Sequence, residues 1–231
     1  MSMITLENIR KVYQLGETKV EALRGSDADI KEGEFVAIMG PSGSGKSTLM
    51  NMIGALDVPT AGDVHIGGEE INEMTPDELA LLRSKKIGFV FQEFNLINSM
   101  NAWQNVALPM VFRGKPRSER KKRATDLLDE VGLGDRTGHR PSELSGGQRQ
   151  RVSIARSLAN DPDIILADEP TGNLDTDTGA KIMDLLTELN DEGKTIIMVT
   201  HDPNDAKYAD RTIQIIDGVT NPDKDVKQKE L

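Results

Sequence analysis

The string Gly40-Pro41-Ser42-Gly43-Ser44-Gly45-Lys46-Ser47 constrains this chain most, because it fits the pattern G-x-x-x-x-G-K-[ST] and lies between a strand signal and a helix signal. The apolar run Phe35-Val36-Ala37-Ile38-Met39 before it predicts a buried strand, and a helix is expected from Lys46 to about Leu56. Glycines in this context let backbone N–H groups converge on an anion at a helix start, whose dipole is positive. The chain is therefore expected to contain a strand–loop–helix unit that binds the phosphates of a nucleotide.

The polar residues of this phosphate loop have separate expected roles. Lys46 bridges the β- and γ-phosphates, and the Ser47 hydroxyl ligates Mg²⁺. The alternative is a flexible Gly/Ser turn, which the flanking strand and helix disfavour. The residues expected to contact the nucleotide here are Gly40, Ser42, Gly43, Ser44, Gly45, Lys46, Ser47 and Thr48.

A second glycine-rich string, Leu144-Ser145-Gly146-Gly147-Gln148, comes about a hundred residues later. It precedes a predicted helix from Gln148 to Ala159, so it also offers unpaired backbone N–H groups at a positive helix end. One chain thus carries two helix starts suited to phosphate.

Two adjacent carboxylates follow another apolar strand. Ile164-Ile165-Leu166-Ala167 ends in Asp168-Glu169, and ligands in α/β sheets bind at the carboxyl ends of strands. We expect Asp168 to hold Mg²⁺ and Glu169 to act as general base on the attacking water. Alone, such a pair is usually only a strand end, but the phosphate loop favours the catalytic interpretation.

Composition excludes several classes of protein. The 231 residues contain no cysteine and only three histidines, so a disulfide framework is excluded and a zinc site is disfavoured. The start of the chain has no leader pattern and no window is apolar enough for a membrane span, so we expect a chain that is neither secreted by that route nor inserted. A net charge of −10 with 3% aromatic residues argues against nucleic acid as a partner. The basic run from Arg117 to Arg123 is either a local anion-binding patch or, as favoured, the solvated face of a helix whose apolar side is Ala124, Leu127, Leu128 and Val131.

The order of predicted elements indicates an α/β fold with a mainly parallel sheet. Two strands, Ile4 to Tyr13 and Ala22 to Ile30, form an antiparallel subdomain at the N-terminus, and strand signals vanish between Gln92 and about Asp161. We predict one domain over 1–231, with a nucleotide-binding core at 1–92 and 162–218 and an inserted helical subdomain at 93–161. Arg211 to Ile216 is the predicted final strand, and 219–231 is predicted to be a frayed polar tail.

The phosphate loop, the Leu144–Gln148 string and Asp168-Glu169, in this order, resemble the ATP-binding cassette ATPases over nearly the whole chain. The resemblance implies a P-loop NTPase core, with ATP and Mg²⁺ as cofactors. It also implies roles for single residues: Tyr13 stacks on adenine, Gln92 senses Mg²⁺ and the attacking water, and His201 contacts the γ-phosphate. Without the resemblance, each of these residues would be an ordinary packing or polar residue at a strand end.

In this family two subunits pack head to tail, which implies a homodimer that ATP closes. Ser145, Gly147 and Gln148 of one subunit would then cap the γ-phosphate held by the other. Asp175, in Asn173-Leu174-Asp175, resembles the aspartate that couples the two nucleotide sites.

Finer matches resemble the lipoprotein-release and macrolide-export branch: Phe91 to Leu96, Asn105 to Pro109 and Pro170 to Asp175. The branch implies a cytoplasmic ATPase at the inner face of the cell membrane, beneath integral permease subunits, with Gln92 and the stretch from Phe94 to Val111 as the expected permease contact. Two departures are Glu93, where many relatives have a second glutamine, and the polar Ser26-Asp27-Ala28-Asp29.

The main hypothesis is an ATP-hydrolysing subunit that drives export or lipid extraction. A cell-division ATPase that only transmits force belongs to the same branch, and a soluble cassette ATPase of DNA repair or translation is the rival class. Repair members have long coiled-coil insertions and translation members have two fused cassettes, and neither feature occurs here. A regulatory module without turnover is disfavoured because Lys46, Asp168, Glu169 and His201 are all present.

Overall fold

The computed structural model describes residues 1–227, and the chain divides into two compact units. The first unit comprises Met1–Arg83 and the chain from Asn190 onward, and the second comprises Ser84–Leu189. The elements in chain order are β1 (Ser2–Leu15), β2 (Thr18–Lys31), β3 (Phe35–Met39), α1 (Lys46–Ile53), β4 (Ala61–Ile66), β5 (Glu69–Glu70), α2 (Pro76–Lys86), β6 (Ile87–Phe91), α3 (Ala102–Phe112), α4 (Arg117–Glu130), α5 (Gly146–Ser157), β7 (Ile164–Asp168), α6 (Thr176–Asp191), β8 (Thr195–Val199), α7 (Pro203–Ala206), β9 (Arg211–Ile216) and β10 (Val219–Lys227).

An antiparallel sheet opens the first unit, in the order β2-β1-β4-β5. Ile4 and Leu6 of β1 are buried while Thr5 and Glu7 are not, as the period of two in a half-buried strand requires. A bulge interrupts the pairing of β1 at Asn8, whose φ is 49°. The predicted N-terminal antiparallel sheet is confirmed.

The other strands of the first unit run in the order β10-β9-β3-β8. β3 is parallel to both β8 and β9, and β10 is antiparallel to β9. All five residues of β8 and the first four of β3 are buried, because parallel strands covered on both faces need continuous apolar runs. β3 ends directly at the phosphate loop, and α1 follows it as predicted.

In the second unit, β6 pairs with β7 in parallel, and the helices α3, α4 and α5 pack against one another. α4 carries the basic run on its outer side and buries Ala124, Leu127 and Leu128, which confirms the predicted solvated helix face. Two single-turn 3₁₀ helices, at Gly134–Arg136 and Pro141–Glu143, precede α5. Parallel pairs in both units, with helices between them in the chain, confirm the α/β class; the predicted boundaries of the inserted subdomain stay a prediction.

The predicted frayed tail is wrong for Val219–Lys227, which forms β10; residues 228–231 lie outside the described part of the chain. Asp217 and Gly218 both have positive φ, 49° and 77°, as the tightest two-residue hairpin turns require. The prediction that β9 is the final strand is wrong for the same reason. Within residues 1–227, no helix is long and apolar enough to cross a membrane.

The polar departure at Ser26-Asp27-Ala28-Asp29 has a structural explanation in β10. The Ser26 hydroxyl is buried and donates to the Gly218 carbonyl at 2.9 Å. The Asp27 backbone N–H donates to Thr220 Oγ1 at 2.8 Å, and the Thr220 hydroxyl donates to the Asp27 carbonyl at 2.6 Å. The Ser26 side chain and the Asp27 backbone of β2 therefore hold the C-terminal hairpin.

Candidate active site

The phosphate loop joins β3 to α1 in a backbone conformation that its glycines make possible. A Cβ at Gly40 would collide with the carbonyl oxygen of Ile215. Gly45 has φ of 105°, and a Cβ there would lie 2.7 Å from the carbonyl oxygen of Ala22. Gly45 also caps α1 without a side chain, so the first-turn N–H groups of α1 have no side-chain acceptor at the cap. The loop thus has the donors and the positive helix end that a phosphate needs.

The side chain of Lys46 folds back over this loop. Its Nζ donates to the carbonyl oxygens of Gly40 at 2.8 Å and Pro41 at 2.9 Å. The C-terminal hairpin supports the loop from outside, because the Gly218 N–H donates to the Ser44 carbonyl at 2.8 Å. The ammonium group is therefore held over the loop on which its predicted phosphate-binding role depends.

A cleft of about 340 Å³ opens beside the phosphate loop. Its lining combines loop and α1 residues with β2 and the β9–β10 turn: Gly43, Gly45, Lys46, Ser47, Thr48, Val20, Glu21, Ala22, Arg24, Asp217 and Gly218. Glycines, a lysine and two hydroxyls on one side and a strand on the other can hold a phosphorylated ligand.

Tyr13 lies next to this cleft, because it pairs in the β1–β2 ladder with Val20, which lines the cleft. Its hydroxyl donates to Asp57 Oδ2 at 3.1 Å, and Lys11 Nζ lies 5.2 Å from the ring centroid. Lys11 also forms an ion pair with Asp57 Oδ1 at 2.7 Å. The ring is thereby fixed in one orientation, which suits a stacking surface.

The same contacts shift two pKa values. Burial and then the Asp57 carboxylate raise the pKa of the Tyr13 hydroxyl. For Asp57, burial works to raise the pKa, but hydrogen bonds from Lys11 and the Val58 N–H, with the Lys11 charge, leave it below its ordinary value of 3.8. Asp57 is thus ionised at neutral pH, and it anchors both Lys11 and Tyr13.

Replacing Asp57 by asparagine is expected to destabilise the protein by about 1 kcal/mol at pH 7, since its ion pair with Lys11, whose two side chains are 12% (Lys11) and 31% (Asp57) exposed, is partly screened by water. The folded pKa is depressed, so this contribution is present above pH 3.8 and fades as the pH falls below that value. Urea unfolding of both proteins at pH 7 and near pH 3 measures it. The exposed Asp184→Asn is the control without an expected loss, and an equal Asp57→Asn deficit at both pH values contradicts the assignment.

His201 belongs to the same sheet edge as the phosphate loop. β3 and β8 are parallel with Ile38 opposite Val199, and the Thr200 N–H donates to the Ile38 carbonyl at 3.2 Å. His201 is exposed, and Asp202 after it caps α7. The first unit therefore places Tyr13 beside the cleft of the phosphate loop, and His201 just after the strand that pairs with β3.

Gln92, Asp168 and Glu169 lie together at one edge of the second unit. The register of β6 and β7 places Phe91 opposite Asp168, so Gln92 and Glu169 directly follow the last paired residues of neighbouring strands. The Asn173 amide donates to the Gln92 carbonyl at 2.9 Å. A Cβ on Gly172 would lie 2.7 Å from Gln92 Nε2, so glycine at 172 makes room for the glutamine side chain.

Glu169 has a backbone conformation that is uncommon for a residue with a side chain. Its φ is 44°, and its carbonyl accepts a hydrogen bond from the Gly172 N–H at 3.1 Å. Such conformations concentrate at functional sites, where the surrounding structure holds them. At this turn the chain leaves the direction of β7 directly after Asp168, so the carboxylates of Asp168 and Glu169 both lie at the end of the strand.

The second glycine-rich string forms the N-terminus of α5, which begins at Gly146 rather than at the predicted Gln148. Ser145 and Gln148 form a reciprocal capping box: Ser145 Oγ accepts from the Gln148 N–H at 3.3 Å, and Gln148 Oε1 accepts from the Ser145 N–H at 2.9 Å. A Cβ on Gly147 would collide with Thr178 Cγ2 of α6. The glycine therefore allows α5 to begin close beside α6; the nucleotide role of the string stays a prediction.

Asp175 sits just before α6. Its Oδ1 accepts from the Thr178 N–H at 3.0 Å, and this bond lowers the pKa of the carboxyl. The side chain is exposed, so its carboxylate remains accessible while it caps the helix. Its coupling role also stays a prediction.

Sequence reasoning missed Arg156 of α5, which binds the segment after Gln92. Its guanidinium donates to the carbonyl oxygens of Phe94 at 2.8 Å and Asn95 at 2.5 Å. Both acceptor residues have positive φ, 60° and 48°, and burial lowers the pKa of Arg156. An arginine on the inner side of a helix was the only signal in the sequence that could have indicated such an anchor.

The phosphate loop between β3 and α1 and the carboxylate pair at the end of β7 define a nucleotide-hydrolysing cassette. The chain belongs to the ABC transporter family, whose model matches residues 23–172. This confirms the predicted family, and the chain is an ATP-binding ABC ATPase domain.

Among its relatives, an ABC transporter ATP-binding protein of Thermotoga maritima is 55% identical over 94% of this chain and 92% of that protein. The macrolide export ATP-binding/permease protein MacB of Bdellovibrio bacteriovorus is 52% identical over 96% of this chain but only 34% of its own length. The solved dimer of the cassette MJ0796, bound to ADP and Pi, superposes with a TM-score of 0.89 at 49% identity, over 99% of this chain and all of that one. The MacB relatives support the predicted export branch.

Proposed function

We propose that this chain is the ATP-hydrolysing subunit of a membrane complex that exports a substrate or extracts lipoprotein or lipid. The observation that carries the proposal is the match to MacB: this chain corresponds to one third of a protein whose name joins ATP binding, export and a permease. A permease of comparable kind, on another polypeptide or on further sequence, is the proposed partner. The chain would act at the inner face of the cell membrane.

The geometry of the first unit supports the proposed roles of its residues. Tyr13, held by Asp57, stacks on adenine, and the phosphate loop with Lys46 binds the phosphates. His201, at the same strand edge, contacts the γ-phosphate. The cleft between the loop and β2 is the proposed place of the nucleotide.

The proposed roles of the second-unit residues are catalytic and coupling ones. Glu169 accepts the proton of the attacking water, and Gln92 orients that water. Ser145, Gly147 and Gln148 act on the nucleotide of a second copy in a head-to-tail dimer, with Asp175 beside them. The dimeric MJ0796 cassettes support a dimer, and its head-to-tail arrangement is part of the proposal.

Mg²⁺ fits the donors that the chain provides. The Ser47 hydroxyl, the Asp168 carboxylate and the Gln92 amide oxygen are hard oxygen donors of the type this ion prefers. Mg²⁺ held by donors of this type would neutralise charge on the β- and γ-phosphates.

The surface around α3 supports a permease contact. Ile97, Val111 and Phe112 expose 38%, 43% and 82% of their area, and a group of exposed apolar side chains is a feature of surfaces that bind other proteins. Arg156 fixes Phe94 and Asn95 at the beginning of this stretch. We therefore extend the proposed contact from Gln92 to Phe112.

The partner can be identified directly. A tagged Glu169→Gln chain is incubated with Mg²⁺-ATP in native membranes, and co-purifying proteins are identified by mass spectrometry. We expect an integral permease with a large external domain, and we expect Phe112→Glu in the same background to lose it while still binding ATP. Recovery of a cell-division membrane protein would instead assign force transmission, and recovery of soluble partners alone would contradict the transport proposal.

A further inference from the structure

We infer that Gln150 is a positioning residue that couples the start of α5 to the segment carrying Glu169, and thereby couples the two nucleotide sites of a dimer. The inference rests on the proposed roles of Glu169 and of the α5 start. It concerns a side chain that contacts no nucleotide in that scheme.

Gln150 contacts the chain immediately after the proposed base. Its side chain is fully buried, and its Nε2 donates to the carbonyl oxygen of Pro170 at 2.7 Å. A carbonyl can only accept, so the amide nitrogen must face Pro170 and the orientation of the amide is fixed. Pro170 is joined by one peptide bond to Glu169, so this contact restrains the position of the carboxylate.

The amide oxygen of Gln150 indicates that this contact does more than stabilise the fold. Within the described residues, Gln150 Oε1 is buried and has no hydrogen-bond partner. An unsatisfied buried oxygen destabilises the fold, and an apolar side chain of the same size would avoid it. The donor on Nε2 is therefore the property of glutamine that this position uses.

Glu169 needs such a restraint because of its backbone. Its φ of 44° lies in a region that residues with side chains rarely occupy, so several contacts must hold it. The Gly172 N–H holds the turn through the Glu169 carbonyl, and Gln150 holds it through the next carbonyl. Loss of either contact gives the carboxylate more freedom.

α5 joins this restraint to the second glycine-rich string. Gln150 lies about one turn after Gly147, within a helix that begins at Gly146 and is capped by Ser145. A helix is stiff over this distance, so a displacement of its N-terminus moves Gln150 with it. In a head-to-tail dimer the N-terminus of α5 acts on the partner's ATP, whereas Glu169 acts on the chain's own, so Gln150 connects one site to the other.

Gln150→Met tests the coupling, because methionine has similar volume and no donor. Asn160→Ala is the control. Like Gln150, Asn160 donates from its amide to the backbone, in this case to the carbonyls of Ser84 at 3.1 Å and Pro109 at 3.4 Å. Its amide oxygen is likewise buried without a hydrogen-bond partner among the described residues. Asn160 contacts neither Glu169 nor Pro170 in these bonds. The readouts are phosphate release against ATP concentration, in the full-length chain, and the melting temperature.

We expect Gln150→Met to lower kcat about tenfold with KM within about twofold of wild type, since a small displacement of a catalytic group is costly. Its Hill coefficient for ATP should fall to about one, while wild type and Asn160→Ala stay above one. Gln150→Leu also removes the donor but has a different apolar shape, so it repeats the test if methionine disturbs folding. The inference is overturned if both Gln150 variants have the kcat and cooperativity of wild type. It is also overturned if Gln150→Met and Asn160→Ala lose kcat only in proportion to the fall in their melting temperatures.

Failure of the underlying proposal gives a different result. If wild type releases no phosphate, or if Glu169→Gln releases it at the wild-type rate, the assigned chemistry is wrong and the coupling is overturned with it. If Glu169→Gln is inactive while both Gln150 variants behave as wild type, only the coupling is wrong.

Discussion

Glu169→Gln is expected to lower steady-state phosphate release at least about a hundredfold, because a positioned general base contributes roughly 10²- to 10⁴-fold. Glutamine has the shape of glutamate but cannot accept the proton of water. The turn at 169 and its bond from the Gly172 N–H involve only the backbone, so the variant is expected to fold and to bind ATP as wild type does. A phosphate-release assay and an ATP-binding titration measure the two expectations.

Glu93→Gln is the matched control for this substitution. It makes the same chemical change one residue after Gln92, at an exposed position, and it gives the residue that many relatives of the branch have. We expect Glu93→Gln to hydrolyse ATP at the wild-type rate. Equal losses in both variants, or full activity of Glu169→Gln, would remove Glu169 from the role of base.

Lys46→Ala is expected to weaken ATP binding roughly a hundredfold, a loss of about 3 kcal/mol. Alanine removes the ammonium group that the Gly40 and Pro41 carbonyls hold over the loop, but it leaves the loop's N–H groups and the start of α1 in place. Some affinity should therefore remain. Isothermal titration with ATP at fixed ionic strength measures the difference.

Lys85→Ala controls for the loss of one positive charge. Lys85 is exposed on α2, outside the phosphate loop and outside the cleft beside it. We expect Lys85→Ala to bind ATP as wild type does, and a Lys46→Ala affinity equal to that of Lys85→Ala would contradict the role of Lys46.

The parallel strands were predictable because their physics is local. β3 and β9 have the predicted bounds: β3 is a continuous apolar run, and β9 combines three isoleucines with polar residues. Local signals also mark the start of α2, which has Pro76 at its first position and acidic residues in its first turn.

β10 was not predicted, because its sequence is polar and its partners are distant. Thr220 is buried and bonded to Asp27, which lies 193 residues earlier in the chain. Composition alone favoured a frayed tail. The Asp217-Gly218 pair is a signal for a hairpin turn, but no apolar strand pattern follows it in the sequence.

In the candidate site, too, the local features could be predicted from the sequence and the long-range contacts could not. Glycine spacing identified both helix starts, and strand ends identified Asp168 and Glu169, because these features follow from the local chain direction. The supporting contacts could not be predicted: Tyr13 is held by Asp57, 44 residues away, and Arg156 holds Phe94, 62 residues away. Buried side-chain donors of this kind depend on how distant helices and loops meet.

The central claim is that two copies of this chain together complete the hydrolytic sites. The most direct test is the rate of phosphate release per chain, measured at saturating Mg²⁺-ATP over a wide range of protein concentration. We predict a rate that rises with concentration and then levels off, with Glu169→Gln inactive throughout, because dilution separates the copies. A constant rate per chain down to concentrations at which light scattering detects only monomers would contradict the claim.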